Sequence, residues 1–291
     1  MVVMDDQYNG WRYLTLPMTL SDEMLMNAVL AVSAFHISHR TEGRLPVKPN
    51  KLYAQAILGL QSRRALNDFD MATRQSVFLT IIILMVGVMI TGCSDFPILF
   101  HMLQSALDAI GGESGLGGGE IAEFLMRQIH KMRVYAAPLL SPEAGVHHIL
   151  AYSQQSFDCL HYNGDLHPDH ASTFYLVAYL RQQAYDIYLQ RALAGPSAVI
   201  QPDLVERYKS TLDLFAHDSP GTHSLIWPTF IAASESRLAE HRLHFKQFLE
   251  VQYRSNGFSN ILEALKLLER IWACQDTNWT ALLPEPRVFI M

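Results

Sequence analysis

Polar side chains recur along the segment STFYLVAYLRQQAYDIYLQRAL at intervals of three or four residues: Tyr175, Tyr179, Gln182 and Asp186. This spacing places them on one face of an α-helix. The rest of the segment is largely apolar, and ligand pockets combine apolar walls with a few well-placed polar groups. The row is therefore a candidate wall of a ligand-binding cavity. The alternative interpretation is that the tyrosine rings pack in the protein with their hydroxyl groups at its rim.

Two further side chains are candidates for the same cavity. His101 lies on an apolar helical stripe with Leu103 and Leu107, where a lone histidine either forms a hydrogen bond in the core or lines a cavity. Trp227 precedes Pro228, and the pair predicts the start of a helix because proline is favoured in the first turn. A place in the wall of the cavity is a secondary role for Trp227, in addition to the start of this helix.

Other chemistries have weaker support. The cluster HYNGDLHPDH, His161 to His170, has metal-binding residue types, but its spacing matches no standard ligand set and its Gly and Pro predict a surface loop. The three cysteines are isolated from one another: Cys93, Cys159 and Cys274. The sequence has no nucleophile elbow, no metalloprotease motif and no dinucleotide fingerprint. We therefore expect a function that needs neither a metal nor a cofactor.

Charge argues against direct nucleic-acid binding. The 291 residues carry a formal net charge of -6, with 28 acidic residues against 22 Lys and Arg. Because DNA affinity depends largely on Lys and Arg contacts to phosphates, an acidic chain gains no general attraction to DNA. We expect the chain not to bind duplex DNA on its own.

Helical periodicity recurs along the chain and strand alternation does not, which predicts an all-α fold. Long helices are predicted over residues 171–193 and 228–252, and no linker separates two domains, so residues 1–291 are predicted to form one domain. The longest apolar run, residues 77–90, has 14 residues. A membrane-spanning helix needs about 20, so this run predicts a buried central helix and no membrane association.

Four stretches together resemble the fungus-specific transcription factor domain, the regulatory middle region of zinc-cluster transcription factors. They are WRYLTLPMTLSDEMLMNAVLAVSAFHISHR, HMLQSALDAIGG, SLIWPTFIAASESRLAEHR and RSNGFSNILEALKLLERIWACQDTNWTALL. The resemblance extends from about Trp11 to Leu283. It implies an all-α domain with a central cavity that regulates transcription, in some members of the family by binding small apolar molecules.

The chain departs from this family's pattern in two ways. The family's zinc cluster needs six cysteines in a basic N-terminal segment, whereas residues 1–10 contain no Cys, Lys or Arg; we therefore expect a domain without a zinc cluster. Gln104 and Ser105 replace a small Gly-Ala pair, and Ala233 and Ser234 stand where Gly-Cys is common. These changes can reshape what the helices enclose, so Gln104 joins the candidate ligand-binding residues.

Two functions remain open at this point. The first is an intracellular binding module, nuclear or cytoplasmic, that senses a small apolar metabolite or binds a protein partner, including a second copy of itself. The alternative is a cofactor-free enzyme of secondary metabolism, of the cyclase, pericyclase or isomerase type, that uses the same cavity. Such an enzyme would fix a reactive conformer and polarise one carbonyl through a Tyr or His side chain.

Overall fold

The computed structural model describes residues 4–38, 47–194, 203–216, 219–274 and 278–291. Within these residues it has thirteen α-helices and no β-strand, so the predicted all-α class is confirmed. The chain divides into two compact units, an N-terminal unit of residues 4–129 and a C-terminal unit of residues 130–291. The organisation of residues 1–291 as one domain stays a prediction.

The helices of the N-terminal unit are α1 Leu16–Thr19, α2 Glu23–Ser38, α3 Pro49–Ser62, α4 Met71–Thr91, α5 Phe96–Ala109 and the first part of α6 Glu120–Ala136. Those that follow in the C-terminal unit are α7 Pro142–Tyr152, α8 Asp158–Leu166, α9 Ala171–Leu193, α10 Asp203–Leu212, α11 Ile226–Glu235, α12 Ala239–Asn256 and α13 Ser259–Ala273. Short 3₁₀ turns connect several of these helices.

Helix α4 is the central element of the N-terminal unit. Asp70 caps its start by accepting a hydrogen bond from the Thr73 backbone N–H at 2.8 Å, and Gly92 ends it in a left-handed conformation with φ 70°. The helix is long and apolar enough to cross a membrane, but 83% of its most apolar window is buried inside the protein. A helix that is apolar on all sides belongs in a core, which confirms the prediction of a buried central helix.

Helix α2 packs against both α3 and α4. Its start is fixed by Asp22, whose Oδ1 accepts hydrogen bonds from the backbone N–H groups of Met24 at 3.0 Å and Leu25 at 3.3 Å. Ala28 and Ala31 are fully buried on its inner side. Such small side chains let the neighbouring backbones approach closely, which holds α3 and α4 in place as walls of the cleft described below.

A buried ion pair joins α9 to α11 in the C-terminal unit. Arg191 donates to Glu235 in a two-pronged arrangement, Nε to Oε2 at 2.8 Å and Nη2 to Oε1 at 2.5 Å. The indole N–H of Trp279 donates to the same Oε2 at 2.8 Å. Both carboxylate oxygens of Glu235 accept hydrogen bonds, and the negative charge of Glu235 compensates the positive charge of Arg191 in the core.

Two expectations about local structure are wrong. The predicted helix over residues 228–252 is interrupted, because α11 ends at Glu235 and α12 begins at Ala239. At the break the Ser236 carbonyl accepts a hydrogen bond from Arg242 Nε at 2.9 Å, so a side chain replaces the helical partner. The predicted loop of His161 to His170 is largely helical, since α8 continues to Leu166.

Candidate functional site

The tyrosine row of α9 lies on the outside of the protein. The Tyr175 side chain is 68% exposed and that of Tyr179 is 52% exposed. The prediction that these side chains line an internal cavity is therefore wrong. The buried face of α9 is instead formed by a different helical stripe, which includes Val177, Leu180 and Ala184. Since α9 is apolar around most of its circumference, the burial of these larger apolar faces decides its orientation.

Gln182 completes the same outer row. It is half-buried, and its Nε2 donates to Asp186 Oδ1 at 2.9 Å, one turn further along the helix. Such a pair is typical of a solvated helix face. Its amide is therefore engaged by a neighbour on its own helix rather than pointing into a cavity.

His101 and Gln104 belong to α5, in the N-terminal unit. His101 is exposed, with its Nε2 3.5 Å from Ser105 Oγ, and Gln104 is half-buried. Neither lines the cleft described below, although two neighbours, Met102 and Ser105, do. The stripe of α5 that lines the cleft is therefore a different one from the stripe that carries His101 and Gln104.

Trp227 is fully buried at the start of α11, and Pro228 lies in the first turn as expected. Its indole ring stacks on Tyr135 with centroids 4.8 Å apart and an interplanar angle of 14°. Tyr185 meets the same indole edge-on at 5.7 Å. Trp227 is thus packed as a core residue of the C-terminal unit, and its role in a ligand-binding wall stays a prediction.

The N-terminal unit contains a cleft of about 570 Å³ between α3, α4 and α5. Its floor is apolar and includes the buried side chains of Leu60, Val77, Ile81, Leu99 and Ala106. The wall contributed by α5 has a period of three and four residues, with Ile98, Met102, Ser105 and Ala109 on one stripe. No single residue type marked this cleft in the sequence, because its floor reads as ordinary core.

One end of the cleft carries two consecutive arginines, Arg63 and Arg64, which follow α3. Arg63 pairs with Asp22, Nη1 to Oδ2 at 2.5 Å and Nη2 to Oδ1 at 3.2 Å. Burial of Asp22 opposes its ionisation, but hydrogen bonds from Arg63 and Ser76 outweigh it and lower the pKa of Asp22. Arg64 is exposed and has no hydrogen bond or ion pair with any described residue.

The other polar group of the cleft joins α3 to the start of α5. The hydroxyl of Tyr53 lies 3.5 Å from Asp95 Oδ2, at the long limit of a hydrogen bond. Burial, with the Asp95 charge as a second cause, raises the pKa of Tyr53, so its phenol stays protonated and acts as the donor. The Asp95 carboxylate has no ion pair among the described residues.

The C-terminal unit contains a different polar cluster, centred on Arg181, which we call the Arg181 cluster: Tyr135, Ser156, Phe157, Cys159, Arg181, Tyr185 and Trp227. Arg181 is fully buried, and its Nη1 donates to the Ser156 carbonyl at 2.6 Å. The guanidinium lies over the Tyr135 ring at 5.2 Å and the Phe157 ring at 5.7 Å. No carboxylate among the described residues forms an ion pair with it.

Several donors in the Arg181 cluster have no partner in the described chain. They are Arg181 Nε and Nη2, the Tyr135 hydroxyl and the Trp227 indole N–H. Each of these atoms is also buried from solvent. This cluster was not predicted from the sequence. The available signal was Arg181 itself, a charged residue in the middle of an apolar helical run.

Desolvation disfavours the charged forms of two basic groups in this unit, Lys131 and His223. Burial lowers the pKa of Lys131, and the nearby Arg181 charge lowers it further. Burial also holds the pKa of His223 well below its usual range, with Lys131 as a further cause. Burial therefore favours the neutral forms of Lys131 and His223, whereas the surrounding Tyr135, Cys159 and Tyr185 favour the charged form of Arg181.

Metal ligation has no support in the described part of the chain. No group of three or more His, Cys, Asp or Glu side chains there is placed to hold a metal ion. In the segment from His161 to His170, His167 lies beside Phe174, with ring centroids 6.5 Å apart. The apolar cleft of the N-terminal unit is therefore a better candidate site than the His161 to His170 segment.

A family model described as the fungal specific transcription factor domain matches residues 1–137 and, separately, residues 125–288. The chain belongs to this family. The first match contains the N-terminal unit and the second contains nearly all of the C-terminal unit, so both units are part of the fungal specific transcription factor domain. No curated protein and no solved structure matches the chain.

Family membership supports a regulatory role in transcription. In this fungal specific transcription factor domain the motif HMLQSALDAIGG forms most of α5, whose stripe with Ser105 is a wall of the cleft. Ser105 is one of the departures from the family pattern and lines the cleft, whereas Gln104 does not. Ala233 and Ser234 are buried in α11, where the Ala233 carbonyl accepts a hydrogen bond from Trp272 Nε1 at 2.8 Å.

Proposed function

We propose that this chain is a ligand-binding regulatory domain, and that the cleft between α3, α4 and α5 binds a small, mostly apolar molecule. The observation that carries the proposal is the cleft itself. Its volume of about 570 Å³ lies within the range of about 300 to 1,000 Å³ that is typical of small-molecule sites. Its apolar floor and its few polar groups also have the composition expected of such a site.

A ligand bound in this cleft would regulate the protein by stabilising the folded N-terminal unit. The walls come from three separate helices, so an occupant that contacts all of them favours the state in which they are packed together. The folded N-terminal unit then becomes more populated and more rigid in the presence of ligand. A change of this kind can alter how the domain contacts a protein partner, including a second copy of itself, in the nucleus.

The enzyme alternative needs a donor that polarises a substrate carbonyl inside the cavity. The phenol that faces the cleft, Tyr53, is 3.5 Å from Asp95, which competes for its proton. We therefore base the proposal on binding. A cofactor-free cyclase, pericyclase or isomerase activity, the absence of a cofactor and the absence of direct DNA binding stay predictions.

A matched pair of tryptophan substitutions on α5 tests the proposal. Ser105→Trp places an indole ring at the cleft, whereas His101→Trp places the same ring on an exposed position of the same helix outside it. A screen of small apolar molecules by thermal unfolding finds the probe. At about a hundredfold excess over Kd, a ligand stabilises the folded state by about 2.7 kcal/mol.

We expect the probe to stabilise the natural protein and His101→Trp equally. Ser105→Trp should weaken binding by at least about tenfold, because the ring fills volume that the ligand requires. Circular dichroism of both variants checks that they remain helical. Equal binding by Ser105→Trp and His101→Trp would show that the ligand binds elsewhere, and the proposal for this cleft would then be wrong.

A further inference from the structure

We propose that the molecule bound in the cleft carries two different polar ends, a carboxylate at one end and an amine or hydroxyl donor at the other, joined by an apolar chain. This inference rests on the proposed function, since it concerns the same cleft. It goes further because the charges of the described residues at the two ends of the cleft differ in sign. Each end therefore selects a different chemical group.

The positive end is set by Arg64. Its neighbour Arg63 is engaged by the Asp22 carboxylate at both Nη1 and Nη2, so that guanidinium is neutralised locally. Arg64 lines the cleft and has no ion pair among the described residues, which leaves one uncompensated positive charge there. A planar guanidinium matches the two oxygens of a carboxylate with two parallel hydrogen bonds. This end therefore favours an anionic carboxylate group.

The negative end is set by Asp95. Tyr53 offers it a neutral hydroxyl proton at 3.5 Å, which leaves the carboxylate charge uncompensated. Asp95 is half-buried at the start of α5, and its side chain caps no backbone N–H of that helix. An ammonium or hydroxyl group of a ligand can therefore reach this carboxylate without displacing a structural hydrogen bond.

The two ends are separated by an apolar stretch. Tyr53 and Gln61, at opposite ends of the lining part of α3, are eight residues apart, which corresponds to about 12 Å at the helical rise per residue. Ile57, Leu60 and Met102 line the cleft between them. A linear apolar chain fits this stretch, whereas a short zwitterion such as a free amino acid cannot reach both ends.

A molecule with only one polar end leaves the opposite charge of the cleft uncompensated while it covers that charge with apolar surface. This is unfavourable because removing a charge from water without a partner raises its free energy. A two-ended molecule compensates both charges. The affinity for such a molecule should therefore exceed that for either one-ended molecule of equal length.

Four probes of equal chain length test this inference: ω-aminododecanoic acid, dodecanoic acid, dodecylamine and dodecanol. Binding is measured by calorimetry on the full chain, at concentrations below those at which the probes form micelles. We expect ω-aminododecanoic acid to bind about two- to fivefold tighter than dodecanoic acid or dodecylamine, the range expected for one partly exposed ion pair.

Charge-removing variants assign each end. Arg64→Gln should remove the advantage that a carboxylate gives, and Asp95→Asn should remove the advantage that an amine gives. Lys51→Gln, on an exposed site of α3, and Asp108→Asn, on an exposed site of α5, make the same charge changes outside the cleft. Both controls should leave the ranking of the probes unchanged.

The outcomes separate this inference from the proposed function. If dodecanol binds as tightly as ω-aminododecanoic acid and Ser105→Trp weakens the binding of both, the cleft binds apolar molecules in general. The inference of a two-ended ligand is then wrong. If the control variants change the ranking as much as Arg64→Gln and Asp95→Asn do, the charges act at a distance and the inference is also wrong. If no probe and no other small apolar molecule binds the cleft, the proposed function itself is wrong.

Discussion

The cleft beside α3 and the Arg181 cluster both carry arginine and tyrosine side chains, but their surroundings are opposite. The cleft has a volume of about 570 Å³, and its polar groups, such as Arg64 and Asp95, lie at its ends. The Arg181 cluster has more polar atoms without partners, yet its arginine and its tryptophan are both fully buried. The cleft and the buried unpartnered polar atoms of the Arg181 cluster are thus found in different units of the chain.

This difference teaches that unpartnered polar groups do not by themselves indicate a ligand site. A guanidinium can be held by a carbonyl and by aromatic faces, as Arg181 is by Ser156, Tyr135 and Phe157. These groups hold the guanidinium without the help of a ligand. The cleft differs from the Arg181 cluster, because it contains few polar groups and an apolar void lies between them.

The largest expected effect concerns Arg181. Arg181→Ala should lower the free energy of unfolding by about 3 kcal/mol, because it leaves a cavity where the long side chain was packed. Arg181→Met keeps most of the volume and removes the unpartnered donors, so we expect a loss below about 1.5 kcal/mol. Urea unfolding of both variants measures the difference. Equal losses would mean that the guanidinium charge itself is needed, which would make the cluster resemble a binding site.

The same alanine-to-leucine change in both regions tests the difference in free volume. Ala184 is fully buried on α9, one turn from Arg181, so Ala184→Leu should cost about 1 to 3 kcal/mol through overpacking. Ala106 lines the cleft, so Ala106→Leu should change stability by no more than about 0.5 kcal/mol. Thermal unfolding compares the two. An Ala106→Leu variant as unstable as Ala184→Leu would contradict the presence of an open cleft.

Two tyrosines of the Arg181 cluster provide a finer comparison. The Tyr185 hydroxyl and Ser156 Oγ are 2.8 Å apart and share a hydrogen bond, whereas the Tyr135 hydroxyl has no partner in the described chain. Tyr185→Phe should therefore cost about 1 kcal/mol and Tyr135→Phe close to nothing. Urea unfolding at neutral pH measures both, and a Tyr135→Phe variant that is the less stable of the two would contradict this assignment.

Alkaline pH should act on the same residues. Burial raises the pKa of Tyr185 from 10.0 to about 12 and that of Tyr135 well above 10.0. Because the folded-state pKa is the higher one, this contribution to stability is complete below pH 10 and is lost as pH rises from 10 towards 12. The loss is about 1.4 kcal/mol per pH unit for each such proton. Tyr185→Phe should flatten the dependence in this window, and an unchanged slope would contradict the assignment.

The smallest expected effects distinguish the adjacent arginines at the cleft. Arg64→Gln should leave the free energy of unfolding within about 0.5 kcal/mol of the natural protein, since Arg64 is exposed and has no described ion pair. Arg63→Gln should cost up to about 1 kcal/mol, because it breaks the partly exposed pair with Asp22.

The contribution of Arg63 to the free energy of unfolding should also depend on pH in the acidic range. The pKa of Asp22 is lowered in the folded state. The stabilising effect of the ionised Asp22 is therefore present above pH 3.8 and is lost as pH falls through the folded-state pKa. Acid unfolding of Arg63→Gln should show a weaker dependence than that of Arg64→Gln. The same dependence in both variants would show that Asp22 is not stabilised by Arg63.

Local signals predicted much of the fold. The helix over residues 171–193 has the predicted bounds. Asp22 and Asp70, which are of a residue type favoured at helix starts, cap α2 and α4 in the structure. These features depend on neighbours within one or two turns, which the sequence displays directly. The break between α11 and α12 escaped prediction because it depends on a hydrogen bond from Arg242 to a carbonyl six residues earlier.

The site was harder to predict, for a physical reason. The direction in which Tyr175 and Tyr179 point depends on which side of α9 meets other helices, and a helix with apolar residues around most of its surface leaves that undetermined. The cleft arises from the packing of α3, α4 and α5, and its floor residues, such as Val77 and Ile81, look like any core residues in the sequence. Free volume is a property of packing and leaves no local sequence signal.

Helix α4 has a consequence for how the protein is made. Its mean hydropathy of 1.9 over 18 residues is high enough that, on a nascent chain at the ribosome, it could be bound by the machinery that targets proteins to membranes. Helix α2, which packs against α4 in the finished protein, is synthesised first. It is therefore already outside the exit tunnel when α4 emerges and can cover it at once. The order of helices along the chain thus protects this segment during translation as well as in the folded state.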